Sequence, residues 1–191
     1  MQTIGLILVV ISFVPIIISI KFKRNFFNVK EVIIDHLKLF KNCKSQYFVF
    51  YGSPLLLSVG LALIYNSTKA FYDNLSLIVS IILSMLFAVL AIITNYDYSH
   101  YKDKKKTKIQ NVVTETINSI IFETFICVLI LLYGMIILII DDSIESNMIA
   151  NKVVTGFAIF LFTVLLFDLL IVIKRISKIM LLKTTEGDQE T

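Results

Sequence analysis

Five apolar runs, each about as long as a bilayer is thick and set apart by segments that hold almost all the charge, constrain this chain more than any other feature. They cover residues 1–20, 47–65, 75–95, 117–140 and 153–173. A helix rises 1.5 Å per residue, so about 20 residues cross a hydrocarbon layer of ~30 Å, and a helix satisfies its own backbone there without water. The expected fold class is therefore all-α: a polytopic membrane protein, a bundle of four to five transmembrane helices plus one cytosolic interfacial amphipathic helix. Composition agrees, since 57% of the 191 residues are hydrophobic and only 17% charged, far from the usage of soluble domains.

The runs divide the chain into an N-terminal transmembrane anchor at 1–20, a cytosolic amphipathic segment at 21–46 and a transmembrane hairpin at 47–95. A basic cytosolic loop at 96–116, a second hairpin at 117–173 and a charged cytosolic tail at 174–191 follow. The first run lacks a basic leader and a small-residue cleavage site, and Lys21, Lys23 and Arg24 follow it at once, so it reads as a retained anchor. Pro15 removes an amide from this helix and kinks it.

Orientation follows from the cations. Lys21, Lys23, Arg24, Lys30, Lys38, Lys41 and Lys44 fall in the first inner segment, Lys102, Lys104, Lys105, Lys106 and Lys108 in the second, and Lys174, Arg175, Lys178 and Lys183 in the tail. Of the 18 Lys and Arg residues only Lys69 and Lys152 face outward, beside Asp73, Asp141, Asp142 and Glu145. The positive-inside rule then places the N-terminus outside and the C-terminus in the cytosol of a bacterial inner membrane. A first run lying on the membrane instead of crossing it would leave the other four spans in the same orientation.

Within 21–46, Phe26, Val29, Ile33, Leu37 and Phe40 recur at intervals of three and four, with Lys30, Glu31, Asp35, Lys38 and Lys41 opposite. Such a stripe lies in the headgroup layer or docks on a partner protein. The last eight residues hold no apolar side chain and read as disordered. The two hairpins do not align with each other, so an inverted repeat is not expected. No glycine pair has the spacing of a tight helix dimer, which points to packing by Leu, Ile and Phe, while Gly52, Ser53 and Pro54 mark a kink or close approach.

Two acids sit inside the spans. Glu123 lies about six residues into the fourth run and Asp168 about six before Lys174, so antiparallel packing sets both roughly 9 Å below the inner interface. A carboxylate facing lipid costs about 2.5 to 3.5 kcal/mol, so each must face protein or water, and each is a candidate for ion or proton chemistry. Two carboxylates brought together in an apolar layer do not both stay ionised. Arg175, seven residues beyond Asp168 on the same helical face, is roughly 10 Å along the axis and too far to bond unless it reaches back. The alternative is an inter-helix polar clamp with Asn118, Thr124, Tyr133 or a neighbouring subunit.

The loop NYDYSHYKDKKKTK sets Tyr98 and Tyr101 before Lys102, Lys104, Lys105, Lys106 and Lys108. Tyrosine at the bilayer boundary beside lysine facing anionic headgroups makes membrane lipid the expected partner; single-stranded nucleic acid uses similar residues but is not expected. His36 and His100 have no ligating company, Cys43 and Cys127 form no disulfide framework, and no hydrolase, P-loop or zincin motif occurs. No metal, cofactor or enzymatic activity is expected. Asn66 and Asn74 open glycosylation tripeptides in a loop too close to the bilayer to be used.

A small multi-span chain with almost no outer loops, a basic cytosolic face and no catalytic motif resembles the small membrane subunits of bacterial anti-phage operons, such as the membrane component of the Kiwa system, and membrane-depolarising abortive-infection effectors. The resemblance is one of architecture over the whole chain and transfers no site residue. It implies a homo-oligomer that senses an envelope disturbance or perturbs the bilayer, coupled through its basic face to a cytosolic protein partner. The alternatives are a small ion channel or proton-coupled transporter using Glu123 and Asp168, and a scaffold subunit of a larger membrane complex.

Overall fold

A computed structural model of the chain describes residues 32–34, 36, 48–65, 68–95, 103–145 and 148–187. The chain divides into two units, Met1–Leu39 and Phe40–Thr191. In the first, residues 32–34 and 36 are helical, Ile33 and Ile34 are exposed and His36 is buried. The expected anchor at 1–20 and most of the amphipathic stripe lie outside the described residues.

In the second unit all regular structure among the described residues is helical. A π-turn at Phe48–Gly52 runs into α1 (Ser53–Ile64), followed by α2 (Lys69–Thr94), α3 (Asp103–Glu145) and α4 (Met148–Gly187). Pro54 stands in the first turn of α1, where its missing amide and its ring suit a helix start but not a continuous α-helix from residue 48. Three helices, Lys69–Thr94, Ile109–Ile139 and Met148–Met180, are long and apolar enough to cross a membrane, which is the build of an integral membrane protein. The 48–64 helix is shorter.

The helices at the basic end run further than expected. Of the loop read at 96–116, residues 103–116 are the first turns of α3, and the tail read from Lys174 continues α4 to Gly187. No proline occurs after Pro54 and no glycine between 103 and 133, while Lys, Gln and Glu favour helix, so nothing stops either element at the bilayer boundary. The 43 residues of α3 span roughly 64 Å, about twice the hydrocarbon thickness.

Along α3, Ile109, Val113, Thr116, Ile120, Glu123, Cys127, Ile130, Gly134 and Ile137 are all buried, at intervals alternating between four and three. Tyr72, Leu75, Val79, Ile82 and Leu86 repeat the pattern on α2, and Leu165, Asp168, Val172 and Ile179 fit it on α4. A seam recurring every 3.5 residues is the pattern by which long helices stay in contact over several turns. In space α2 packs on α3, α3 on α4, and α4 on α1. Lipid-length faces of Leu, Ile and Phe are left outward, among them Leu56, Ile81, Met85 and Leu170.

The α1–α4 contact corrects the expectation of bulky packing. Ser58 and Ala62, one turn apart, are buried, and a Cβ added at Gly156 would stand 3.2 Å from the Ala62 Cβ and 3.9 Å from the Ser58 carbonyl oxygen. Small residues four apart let two backbones approach closely without any glycine pair. Gly156→Leu is therefore expected to push α1 off α4 and cost about 1 to 3 kcal/mol, read as earlier unfolding in detergent, whereas Gly60→Leu, with open space around it, should be silent.

Candidate functional site

Two bonds fix the register that builds the site. At the end of the α3–α4 pair away from the lysine-rich segment the Tyr133 hydroxyl donates to the Val154 carbonyl at 2.9 Å, and the Tyr133 ring meets that of Phe157 edge-on at 5.2 Å. Near the basic end the Arg175 guanidinium crosses from α4 to α3, its Nη1 donating to the Glu115 carbonyl at 2.7 Å and to the Ser119 hydroxyl at 3.1 Å. Between these two ties the antiparallel register leaves Glu123 and Asp168 opposite one another.

Both acids are inside the protein. Glu123 is 0% exposed and Asp168 2%. Glu123 is 14 residues from Ile109 and Asp168 is 12 from Met180, the basic ends of the two spans, so they lie at similar depths of roughly 21 and 18 Å along the axes. Neither carboxyl oxygen of Glu123 has a hydrogen-bond partner among the described residues; the group that acts on it electrostatically is Asp168. One turn further along α3, the buried thiol of Cys127 lies within the electrostatic reach of Glu123. Two acids thus occupy positions that in every other layer of the seam hold a neutral side chain or close the interface, an arrangement whose desolvation cost only a register or functional role offsets.

Arg175, grouped with the acids in the sequence, joins a different cluster. Its side chain is 16% exposed, and besides the two hydrogen bonds its Nη2 lies 3.7 Å from Oε2 of Glu115, a residue 53% exposed. Ser119 also donates to the Glu115 carbonyl at 3.1 Å, so one oxygen of α3 gathers a cation and a hydroxyl. Thr116, fully buried, turns its hydroxyl back onto the Val112 carbonyl at 2.6 Å. Tyr133, weighed as a clamp for the acids, instead serves the tie to Val154.

Glu115 and Ser119 were missed, the first because it was assigned to a loop and the second because a lone serine in an apolar run draws no notice. The spacing Thr116, Glu123, Cys127 and Gly134 within the four-and-three repeat was the available signal. Of the basic cluster, Lys106 is exposed near the start of α3, Lys104, Lys105 and Lys108 belong to that helix, and Lys102, Tyr98 and Tyr101 lie outside the described residues. No protein-family model, curated protein or solved structure matches the chain.

Proposed function

We propose that the protein is a non-enzymatic membrane sensor or effector whose working element is the Glu123–Asp168 pair, inserted in a bacterial inner membrane with its basic end in the cytosol. The observation that carries this reading is the complete burial of Glu123, without a hydrogen-bond partner, opposite a second acid in the seam between two long helices. A pair so placed changes its net charge when a proton binds or leaves, and a packed antiparallel seam responds to such a change by shifting its register or spacing. The proposed setting is a bundle of four to five spans, a homo-oligomer, with a cytosolic protein partner meeting the basic extension of α3 and α4, which the resemblance to the small membrane subunits of anti-phage operons suggests. Membrane lipid is the partner of the lysine-rich turns.

A second reading is favoured by the same pair: a small channel or proton-coupled transporter in which the acids bind the moving ion. The two differ in whether charge crosses the membrane. In cells expressing the chain, membrane potential and co-purifying proteins are the readouts. The sensor or effector reading requires a potential change or a captured cytosolic partner that Glu123→Gln with Asp168→Asn removes. Steady pH-driven flux in liposomes holding only this chain, lost in the same variant, would favour the transporter, and wild-type behaviour of the variant in both assays would sink both readings.

A further inference from the structure

The four helices are not held together evenly along their length. A stretch of five residues near the start of α4, 152–156, touches all three of the others. The Lys152 ammonium donates to the Leu63 carbonyl of α1 at 3.0 Å, and the Tyr133 hydroxyl of α3 donates to the Val154 carbonyl at 2.9 Å. The hydroxyl oxygens of Tyr72 in α2 and of Thr155 stand 3.5 Å apart, with both side chains buried. Thr155 gives its proton to the Asn151 carbonyl at 2.7 Å, so in that contact Tyr72 is the donor. Two close approaches fall at the same level. Gly156 meets Ser58 and Ala62 of α1, and a Cβ at Gly134, beside Tyr133, would stand 3.0 Å from the Ser76 hydroxyl of α2.

From this junction toward the lysine-rich end, α3 has no further glycine and α4 none before Gly187. The seam there is filled by Ile120, Phe122, Ile126, Leu165 and Val172, and large side chains set helix axes further apart than glycine does. The acid pair and the Arg175 tie both lie on this side. Glu123 and Asp168 are 11 and 12 residues from Gly134 and Gly156, about 17 Å, and Glu115 and Arg175 are each 19 residues away, about 28 Å. Two stiff helices joined at the junction part in that proportion, so ~1 Å between the acids becomes ~1.7 Å at Arg175. That is enough to take its bonds of 2.7 and 3.1 Å out of hydrogen-bond reach.

We infer that residues 152–156 of α4 are the fulcrum of a lever and Arg175 its latch: a change of charge at the acid pair parts α3 from α4 at the lysine-rich end and releases the Arg175 tie, while the far end stays closed. This rests on the reading of the pair as the working element and adds where its movement goes and what restrains it. Two ionised carboxylates repel one another and drive the helices apart, and neutralising either lets the seam close. The other ionisable groups along these elements are Cys127 of α3, Glu115 and Arg175 at the latch, Tyr51 of the π-turn packed on α4, and Tyr72, Tyr133 and Lys152 at the fulcrum. α1 has none, and α2 has none from Leu75 to Thr94.

The test measures two distances between spin labels by double electron–electron resonance, in the full chain carrying Cys43→Ser and Cys127→Ala, in nanodiscs of phosphatidylethanolamine and phosphatidylglycerol. Labels go on Asn111→Cys with Lys178→Cys at the lysine-rich end, and on Met135→Cys with Val153→Cys at the far end, all four positions being exposed. Raising the pH from about 5 to about 9 is expected to lengthen the first distance by ~2 Å and to leave the second unchanged. Glu123→Gln with Asp168→Asn should abolish the response. Arg175→Gln, in a chain whose far-end distance shows it to be folded, should lengthen the first distance already at the lower pH. A response that is lost in the neutral variant but is as large at the far end, or that shortens the first distance, overturns the lever while leaving the pair as the working element. An Arg175→Gln chain as closed as the wild type overturns the latch. No response at either end, or one that survives in the neutral variant, removes the acid pair as the working element and the lever with it.

Discussion

Replacing Glu123 and Asp168 together by leucine is expected to leave the bundle folded, to raise its resistance to unfolding by roughly 1 to 4 kcal/mol, and to abolish the proposed sensor or effector response in membranes. The sign comes from the seam. Every layer next to the acids is closed by fully buried neutral side chains such as Ile120, Ile130 and Leu165, so leucine continues a pattern already present, and two groups that are costly to desolvate disappear. A residue kept for stability would give the opposite sign. Single substitutions separate the two acids: Glu123→Leu removes a group with no hydrogen-bond partner and should be neutral or stabilising, and Asp168→Leu tests what the second acid adds. Unfolding in detergent by increasing fractions of a denaturing surfactant reads the first effect, and the potential or partner-capture assay the second. A double variant that fails to accumulate, or that is much less stable while keeping its response, would show that the acids are structural glue.

Arg175→Ala is expected to act in the opposite direction, destabilising by about 1.5 to 3 kcal/mol. The guanidinium ties α4 to a backbone oxygen and a side-chain oxygen of α3 at once, and this fork geometry is what lysine lacks, so Arg175→Lys should recover less than half of the loss. Glu115→Gln isolates the ionic part. That contact is long, at 3.7 Å, and its carboxylate is half exposed, so the variant should change stability by less than about 1 kcal/mol. Equal losses for Arg175→Ala and Glu115→Gln would mean that the ion pair, and not the tie to the α3 backbone, holds the two helices at this level.

The class of fold was legible because lipid demands length and apolarity, and residues 75–95, 117–140 and 153–173 supply both. The helix ends were less so: charged residues such as Lys106 and Glu115 were taken as the end of a helix when they mark only the end of its apolar part. The seam was hidden for a related reason. In water the buried face of a helix is its apolar face, but here the exposed positions, Ile121, Val128 and Met135, are at least as apolar as the buried Thr116, Glu123 and Cys127 of the same helix, so hydrophobic periodicity carries almost no contrast. For the same reason Ser58 and Ala62 went unnoticed beside Gly156. The acids themselves stood out, since a carboxylate in an apolar run is rare, and antiparallel depth matching was enough to set them together. Which group would meet Arg175 depended on a side chain crossing between helices, and no spacing within one helix reports that.

The order in which these helices pack bears on how the chain is made. Among the helices of its unit α1 leans on α4, not on α2, which follows it in sequence, and the Lys152 ammonium donates to the last turn of α1 at the Leu63 carbonyl, 3.0 Å away. Among the described helices of this unit, the first to be synthesised thus packs on the last. Through the synthesis of α2 and α3 it waits in the bilayer without its neighbour, and a chain halted before residue 148 has assembled a hairpin with a loose end.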